Sequence, residues 1–201
     1  MKPLFLTLIW TLAATMAGPA LAQSSNNASG VYVSQIGSGN KATVSQDESA
    51  VSGYAKIEQT GTGNESDGNV AAVTQTGGKH WAQVTQSGTK NSTDLTQIGS
   101  FEGQAIISQT GKNNLIDLTQ TATFASQFAS ITQNGEGNEV NLTQDGAPNS
   151  ATLTQNGDRN ELKLAQNGGS TISWTQTGND LSLVGVSVDG AQTMIITQTK
   201  P

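Results

Sequence analysis

Residues 138–146 read NEVNLTQDG, and residues 149–157 read NSATLTQNG. Each unit starts with Asn, alternates apolar and polar residues up to a Gln, and has a Gly two positions after that Gln. The unit recurs along almost the whole chain at steps of mostly 10 to 13 residues. A fixed period of this kind is typical of solenoids and other repeat arrays. We predict that the recurring glutamines form structural ladders; they are Gln35, Gln46, Gln59, Gln75, Gln86, Gln97, Gln109, Gln120, Gln133, Gln144, Gln155, Gln166, Gln176 and Gln198.

The residues before each Gln indicate a β-strand. Those two and four positions before it are mostly Ala, Val, Ile or Leu, and those between are mostly polar. Alternation with a period of two, rich in β-branched residues, is the pattern of a half-buried strand. In the last long gap Val188 replaces Gln, and Val186 and Val184 form the expected inward pair.

A turn follows each Gln. Gly supplies the positive φ that a sharp reversal needs, and Asn tolerates the left-handed region and bonds its own backbone. We therefore predict turn and strand-start roles for Gly37, Asn40, Gly61, Asn64, Gly135, Asn138, Gly146, Asn149, Gly157 and Asn160.

Strands of about seven residues joined by turns of about four predict an all-β fold: a β-solenoid of stacked strand–arc–strand coils. About seven coils would form two facing parallel sheets, with neighbouring strands ~4.8 Å apart. Stacked Gln and Asn amides can bond along such a stack, as they do in cross-β, amyloid-like structures. The alternative is a barrel or sandwich of antiparallel hairpins, but those folds do not need Gln at every strand end.

The N-terminus differs from the repeats. Lys2 precedes an apolar run that ends in Ala20-Leu21-Ala22, which predicts a secretory signal peptide over residues 1–22. Residues 23–30 form a short, flexible polar segment, residues 31–198 the repeat domain, and residues 199–201 a tail. The apolar run is too short to span a membrane comfortably.

Composition excludes several functions. The formal net charge of −6 lacks the basic footprint of a nucleic-acid-binding protein. The chain has no Cys, and its single histidine, His80, stands at an Asn position of the repeat and predicts a turn role. Asp47-Glu48 and Glu65/Asp67 lack the spacing of a calcium loop and indicate solvated charge. We find no nucleophile or phosphate-binding motif, and predict neither enzyme activity nor a cofactor.

The terminal strands of the predicted solenoid lack protection. Strand edges usually carry charge, Pro or a covering element that prevents further pairing. Both terminal units are uncharged, and only Lys200-Pro201 follows the last one. We predict that these edges mediate self-assembly; the residues are Val31, Tyr32, Val33, Met194, Ile195 and Ile196.

Residues 29–46, SGVYVSQIGSGNKATVSQ, resemble the repeat of the curlin family, the subunits of bacterial curli fibres. The family unit is Ser, five residues, Gln-x-Gly-x-Gly-Asn-x-Ala, three residues and Gln. Its matches here are Ser29, Gln35, Gly37, Gly39, Asn40, Ala42 and Gln46.

The resemblance implies a secreted amyloid subunit in fibres at the bacterial cell surface, with roles in biofilm matrix, adhesion and cell aggregation. It also implies homopolymerisation, other curlin subunits, a nucleator and an outer-membrane secretion channel as partners. Both the major and the nucleating subunit types fit the repeats. Two features depart from the family: about seven repeats rather than about five, and a brief polar segment after the signal.

A second hypothesis is a monomeric extracellular solenoid that binds ice or polysaccharide. Its outward array would include Thr143, Thr154 and Thr175. The neighbouring outward positions vary, so the sequence shows no regular Thr-x-Thr grid.

Overall fold

The computed structural model describes residues 30–47, 53–61, 67–146 and 148–201, together with the backbone of a strand near the N-terminus. Within these residues the chain forms β-strands joined by short arcs and contains no α-helix. The strands are β1 (Ile9–Leu12), β2 (Gly30–Ile36), β3 (Lys41–Gln46), β4 (Tyr54–Thr60), β5 (Val70–Gly77), β6 (Trp81–Thr89), β7 (Ser92–Gly99), β8 (Gly103–Lys112), β9 (Leu115–Thr121), β10 (Gln127–Glu136), β11 (Glu139–Asp145), β12 (Ser150–Asn156), β13 (Glu161–Asn167), β14 (Thr171–Thr177), β15 (Ser182–Asp189) and β16 (Thr193–Thr199).

The strands alternate between two eight-stranded sheets. Sheet A has the order β1-β3-β5-β7-β9-β11-β13-β15, and sheet B has the order β2-β4-β6-β8-β10-β12-β14-β16. From β2 onward every neighbouring pair is parallel, whereas β1 is antiparallel to β3. Seven strand–arc–strand coils, β2/β3 to β14/β15, are followed by the single strand β16. The predicted β-solenoid of about seven coils is confirmed.

The repeat sets the register between coils. Apart from Gln166, which faces Val188, each repeat Gln that is followed by another coil pairs with the Gln of that coil in the same sheet, as Gln109 pairs with Gln133. The residues two and four positions earlier therefore stack inward, and in the middle coils they are almost completely buried. The column through Val84, Ile107 and Ile131 shows the pattern. Because each coil has only about four inward apolar side chains, each coil relies on its neighbours to cover its core.

One predicted inward residue is wrong. Leu162 pairs with Leu183 and Leu164 pairs with Val186, so that two residues of β15, Val184 and Gly185, face Lys163 alone. This β-bulge places the extra residue outside the regular alternation. Val184 is consequently 50% exposed, and Leu183 takes its inward position.

The arcs require Gly where coils approach closely. Gly111 has a φ of 117°, and a Cβ there would lie 2.0 Å from the carbonyl oxygen of Gly135 in the next coil. Gly61 is different, because its φ is not positive; a Cβ there would instead lie 2.8 Å from Oδ1 of Asn40. The predicted positive φ at Gly61 is therefore wrong.

The predicted signal peptide and polar segment lie outside the described residues, apart from β1 and Gly30. β2 begins at Gly30, and β16 ends at Thr199. The part of the chain that the structure describes includes no helix with the length and hydrophobicity of a membrane span.

Candidate functional site: amide ladders and open strand edges

The inward glutamines of sheet B form one continuous ladder. In each step Nε2 donates to Oε1 of the Gln in the next coil, over 2.7–2.9 Å. All steps run in the same direction, from the first coil towards the last. The column consists of Gln35, Gln59, Gln86, Gln109, Gln133, Gln155, Gln176 and Gln198.

Sheet A carries a second ladder with the same direction and distances of 2.6–2.9 Å. Its members are Gln46, Gln75, Gln97, Gln120, Gln144 and Gln166. The ladder stops there, because Val188 takes the next position. Nε2 of Gln166 instead donates to the hydroxyl and the carbonyl of Ser170. All the glutamines predicted from the repeat thus lie in these two columns.

Each ladder also connects the two sheets. The amide nitrogen of Gln133 donates along the stack to Gln155, and across the arc to the carbonyl of Leu115 at the start of β9, over 3.0 Å. The same cross-arc bond recurs at Gln86 and Gln155. Because both N–H donors and the acceptor of a middle Gln are used, the amide can be buried without water.

A third ladder of asparagines lies at the start of the sheet A strands. Asn114 Oδ1 accepts from the backbone N–H and Nδ2 of Asn138, and Asn114 Nδ2 donates to the carbonyls of Thr110 and Gly135. The members are Asn40, Asn69, Asn91, Asn114, Asn138 and Asn160, and Leu181 ends the series.

The strand-start asparagines follow the prediction only in part. Asn64 lies outside the described residues. Asn69, which the repeat spacing does not predict because a longer arc precedes it, occupies the ladder position of that coil. Asn149 belongs to the opposite arcs. There its Nδ2 donates to the carbonyl of Asp145, and its Oδ1 accepts the backbone N–H of Ser170. The left-handed conformation expected of the strand-start Asn is wrong, because it occurs one residue earlier, at Lys90, Asn113, Arg159 and Asp180.

His80 replaces such an amide in the arc before β6. It is buried; its Nδ1 accepts the backbone N–H of Gly103, so its proton lies on Nε2, which is 3.0 Å from the carbonyl of Thr76. These are the partners that a ladder Asn uses, namely the carbonyl four residues back and an N–H of the next coil. Burial lowers the pKa of His80 below its usual value. The histidine is a neutral structural group of the arc.

The two ends of the stack leave apolar core uncovered. The inward apolar residues that are only partly buried all belong to the first or last coil or to β16; they are Val31, Leu183, Val186, Met194 and Ile196. On the outer face of the last strand, Ile195 is 81% exposed. At the first coil, Oε1 of Gln35 is buried and has no hydrogen-bond partner among the described residues. The predicted edge residues thus lie in the end strands of sheet B, β2 and β16. Val33 among them is buried, and the Gln ladder is unfinished at this end of the stack.

The outward faces carry one Thr-rich column beside each Gln ladder. On sheet B, Thr132, Thr154, Thr175 and Thr197 stand in register. The next outward column is mixed, and includes Lys56, Ile106 and Ile195. A single column is not a two-dimensional Thr array. The geometry therefore adds no support to the hypothesis that the solenoid binds ice or polysaccharide through its Thr residues.

Charged side chains lie on the arcs and on the outer faces of the strands, and some of those on the arcs pair between coils. Lys90 contacts Asp67 at 2.9 Å, and Arg159 contacts Asp180 at 2.7 Å. On sheet A, burial and the neighbouring Asp94 raise the pKa of Asp117. Within the described ranges no group of three or more metal-binding side chains occurs.

Comparison with known families matches this geometry to a named repeat. The family model described as the curlin associated repeat matches residues 67–99, 88–121 and 135–168. The chain is a curlin repeat protein. Curlin repeats mark a family of curli-type fibre subunits. Searches of curated proteins and of solved structures gave no significant match. In this curlin repeat protein the matched segments include strands of both sheets, β5 to β9 and β11 to β13, and so contain members of all three amide ladders.

Proposed function

We propose that this protein is a secreted structural subunit that polymerises end to end into curli-like extracellular fibres, which serve in biofilm matrix and adhesion. The role is structural rather than enzymatic. The observation that carries the proposal is the unfinished ladder of sheet B. If the ladder continues by one step into a second copy, Nε2 of Gln198 donates to Oε1 of Gln35 in that copy. Oε1 of Gln35 has no hydrogen-bond partner among the described residues.

The apolar ends support the same conclusion. Continuing the register of sheet B brings β16 of one copy beside β2 of the next, with Met194 against Val31 and Ile196 against Val33. Val31, Met194 and Ile196 are partly exposed in one copy and would be covered in the pair, whereas Val33 is already buried. Burying apolar surface and pairing an open strand edge both favour association.

The outer face of the proposed junction is also apolar. Ile195 would pair with Tyr32, whose ring lies 5.7 Å from the ammonium group of Lys56 in the next strand. A lysine at position 195 would therefore approach another positive charge and would lose an apolar cross-strand pair. Such pairs contribute about 0.2–1 kcal/mol, so up to a fivefold effect on association is expected.

The direct test is assembly of the processed chain, residues 23–201. We expect an initially soluble protein to form fibrils that bind an amyloid dye and are seen by electron microscopy, with preformed fibres abolishing the lag. A chain that stays monomeric for days at tens of micromolar contradicts the proposal.

A matched pair of variants tests the use of the edge. Ile195→Lys and Ile106→Lys make the same chemical change in the same outward column of sheet B, one at the end of the stack and one in its middle. We expect Ile195→Lys to slow seeded elongation up to about fivefold, and Ile106→Lys to elongate like the wild type. Equal rates for the two variants would show that β16 is not the growing edge.

Export is a separate part of the proposal. The predicted signal peptide and the family resemblance support secretion, an outer-membrane channel and a nucleating curlin subunit as partners. N-terminal sequencing of the protein recovered outside bacterial cells should begin at Gln23. Retention of the first 22 residues, or of the protein in the cell, contradicts this part.

A further inference from the structure

The two sheets receive unequal numbers of strands from the repeat domain. Residues 30–201 supply eight strands to sheet B, β2 to β16, but only seven to sheet A, β3 to β15. The reason is that the chain alternates between sheets and both starts and ends in sheet B. The eighth strand of sheet A is β1, which lies within the segment predicted to be removed.

The unequal count restricts how copies can stack. If β2 of one copy pairs with β16 of another, one strand position stays vacant in sheet A between β15 and the next β3. These two strands are then about 9.6 Å apart, twice the strand spacing of ~4.8 Å. If instead β3 pairs directly with β15, β2 falls on the position that β16 already occupies. Only one of the two sheets can therefore be continuous across the junction.

We propose that copies of the processed chain join through sheet B alone and leave sheet A one strand short at every junction. This inference rests on the proposed function, since it specifies the geometry of the fibre that function requires. The partner is a second copy of the chain, and the surface is the edge of β16 with the edge of β2.

The residues at the sheet B edges fit direct pairing. β16 keeps the regular register of its sheet and carries Gln198 at the ladder position. Its acceptor would be Gln35 Oε1 of the next copy, which lacks a partner among the described residues. Inward and outward apolar residues stand at matching positions on both edges, as at Ile196 with Val33 and Ile195 with Tyr32.

The outer edge of β15 does not fit direct pairing. The bulge at Val184 and Gly185 interrupts its register, and Val188 and Leu181 end the Gln and Asn ladders of that sheet. Pairing with β3 would also oppose Val188 to Gln46. Bulges are typical of sheet edges where pairing stops. The same irregularities have no cost in assembly if no strand ever pairs with this edge.

The strand β1 supports the assignment of the vacant position. Its residues pair with β3, with Trp10 opposite Val44 and Leu12 opposite Ala42. In the unprocessed chain β1 therefore occupies the sheet A position beside β3, which is the position left vacant after processing. The remaining strands, β2 to β16, hold every core residue of the part of the chain that the structure describes, so the processed chain keeps this core.

Engineered disulfides distinguish the two sheets, and the natural chain has no Cys to interfere. The sheet B variant carries Tyr32→Cys and Ile195→Cys, and the sheet A variant carries Ser45→Cys and Ser187→Cys; each pair shares one outward column. Adjacent strands place the Cα atoms ~4.8 Å apart, within disulfide range, whereas a separation of about 9.6 Å cannot be bridged.

Fibrils of each variant are grown under reducing conditions, oxidised, dissolved in denaturant and run on a non-reducing gel. We expect covalent multimers from the sheet B variant and monomer from the sheet A variant. Ala165→Cys with Ser187→Cys, adjacent in sheet A within one chain, is the control that should close an internal disulfide. Multimers from the sheet A variant at the yield of the sheet B variant, or none from the sheet B variant, overturn the inference. Failure of the wild type to form any fibres is a different result, which contradicts the proposed function.

The axial repeat gives an independent measurement. A junction through sheet B alone advances each copy by eight strand spacings, about 38 Å, whereas a junction with β3 directly on β15 advances it by seven, about 34 Å. Mass per unit length from electron microscopy of unlabelled fibres separates these values. A repeat of seven spacings overturns the inference.

Discussion

Replacing one ladder glutamine in the middle of the stack, Gln133→Val, tests whether the amides hold the fold together. Gln133 is fully buried and makes three side-chain hydrogen bonds: it accepts from Gln109 over 2.9 Å, and donates to Gln155 over 2.9 Å and to the carbonyl of Leu115 over 3.0 Å. Valine has a volume that the column tolerates, since Val188 stands at the equivalent position of sheet A.

The expected destabilisation follows from the partners left behind. Oε1 of Gln155 loses its donor, and Nε2 of Gln109 loses one of its two acceptors. Leaving a buried polar group without its partner costs about 1–3 kcal/mol, so the variant should lose about 2–6 kcal/mol. Val188 does not have this consequence, because Ser170 accepts from the preceding Gln166. In the middle of sheet B, Gln109 has no comparable serine to replace the acceptor that Gln133 provides.

The measurement is urea unfolding of the processed chain, kept unassembled at low concentration and followed by circular dichroism. Gln83→Val is the matched control, because Gln83 is an outward residue of the same sheet, in β6. Substitutions at such surface positions usually change stability by less than about 0.5 kcal/mol. If Gln133→Val is no less stable than Gln83→Val, the hydrogen bonds of the buried ladder do not stabilise the fold.

Two further predictions concern the arcs. Gly111→Ala should destabilise the protein more than Gly146→Ala, because both positions have positive φ but only at Gly111 would the new Cβ lie 2.0 Å from a carbonyl oxygen; equal unfolding midpoints would contradict the close approach of the coils. For His80, burial holds the pKa of the folded state below that of the unfolded state, so its stabilising contribution is present above the unfolded pKa of about 6.5 and is lost as the pH falls. Unfolding of wild type and His80→Asn at neutral and mildly acidic pH checks this, and the variant should lose less stability on acidification; identical pH profiles would contradict it.

Much of the fold follows from the sequence because one pattern is repeated many times. Gln, its inward neighbours and the Gly two positions later fix strand length, face and register together, so a misjudged unit such as that of Val188 does not change the architecture. The errors occur where the period fails. The bulge at Gly185 shifts the inward position from Val184 to Leu183, and the alternation alone does not show this shift.

The details of the site were less predictable, because they depend on contacts between coils. The sequence indicates amide ladders, but not that each Gln also bonds the opposite sheet, nor that His80 takes the partners of an Asn. The ladder Asn of the second coil is not evident from the sequence, because Asn64 fits the local motif whereas Asn69 stands at the position that pairs. Arc length varies freely in a solenoid, so spacing from the preceding Gln does not identify the residue that starts the next strand.

The uniform direction of the Gln ladders has an electrical consequence. Each step in both columns runs from an amide nitrogen to a carbonyl oxygen nearer the C-terminal end, so the side-chain amide dipoles add up, as peptide dipoles do along a helix. One tip of a filament then presents partial negative charge, from oxygen, and the other presents partial positive charge, from N–H groups. Two filaments lying side by side would attract each other when they run in opposite directions and repel when they run in the same direction, which favours antiparallel bundles.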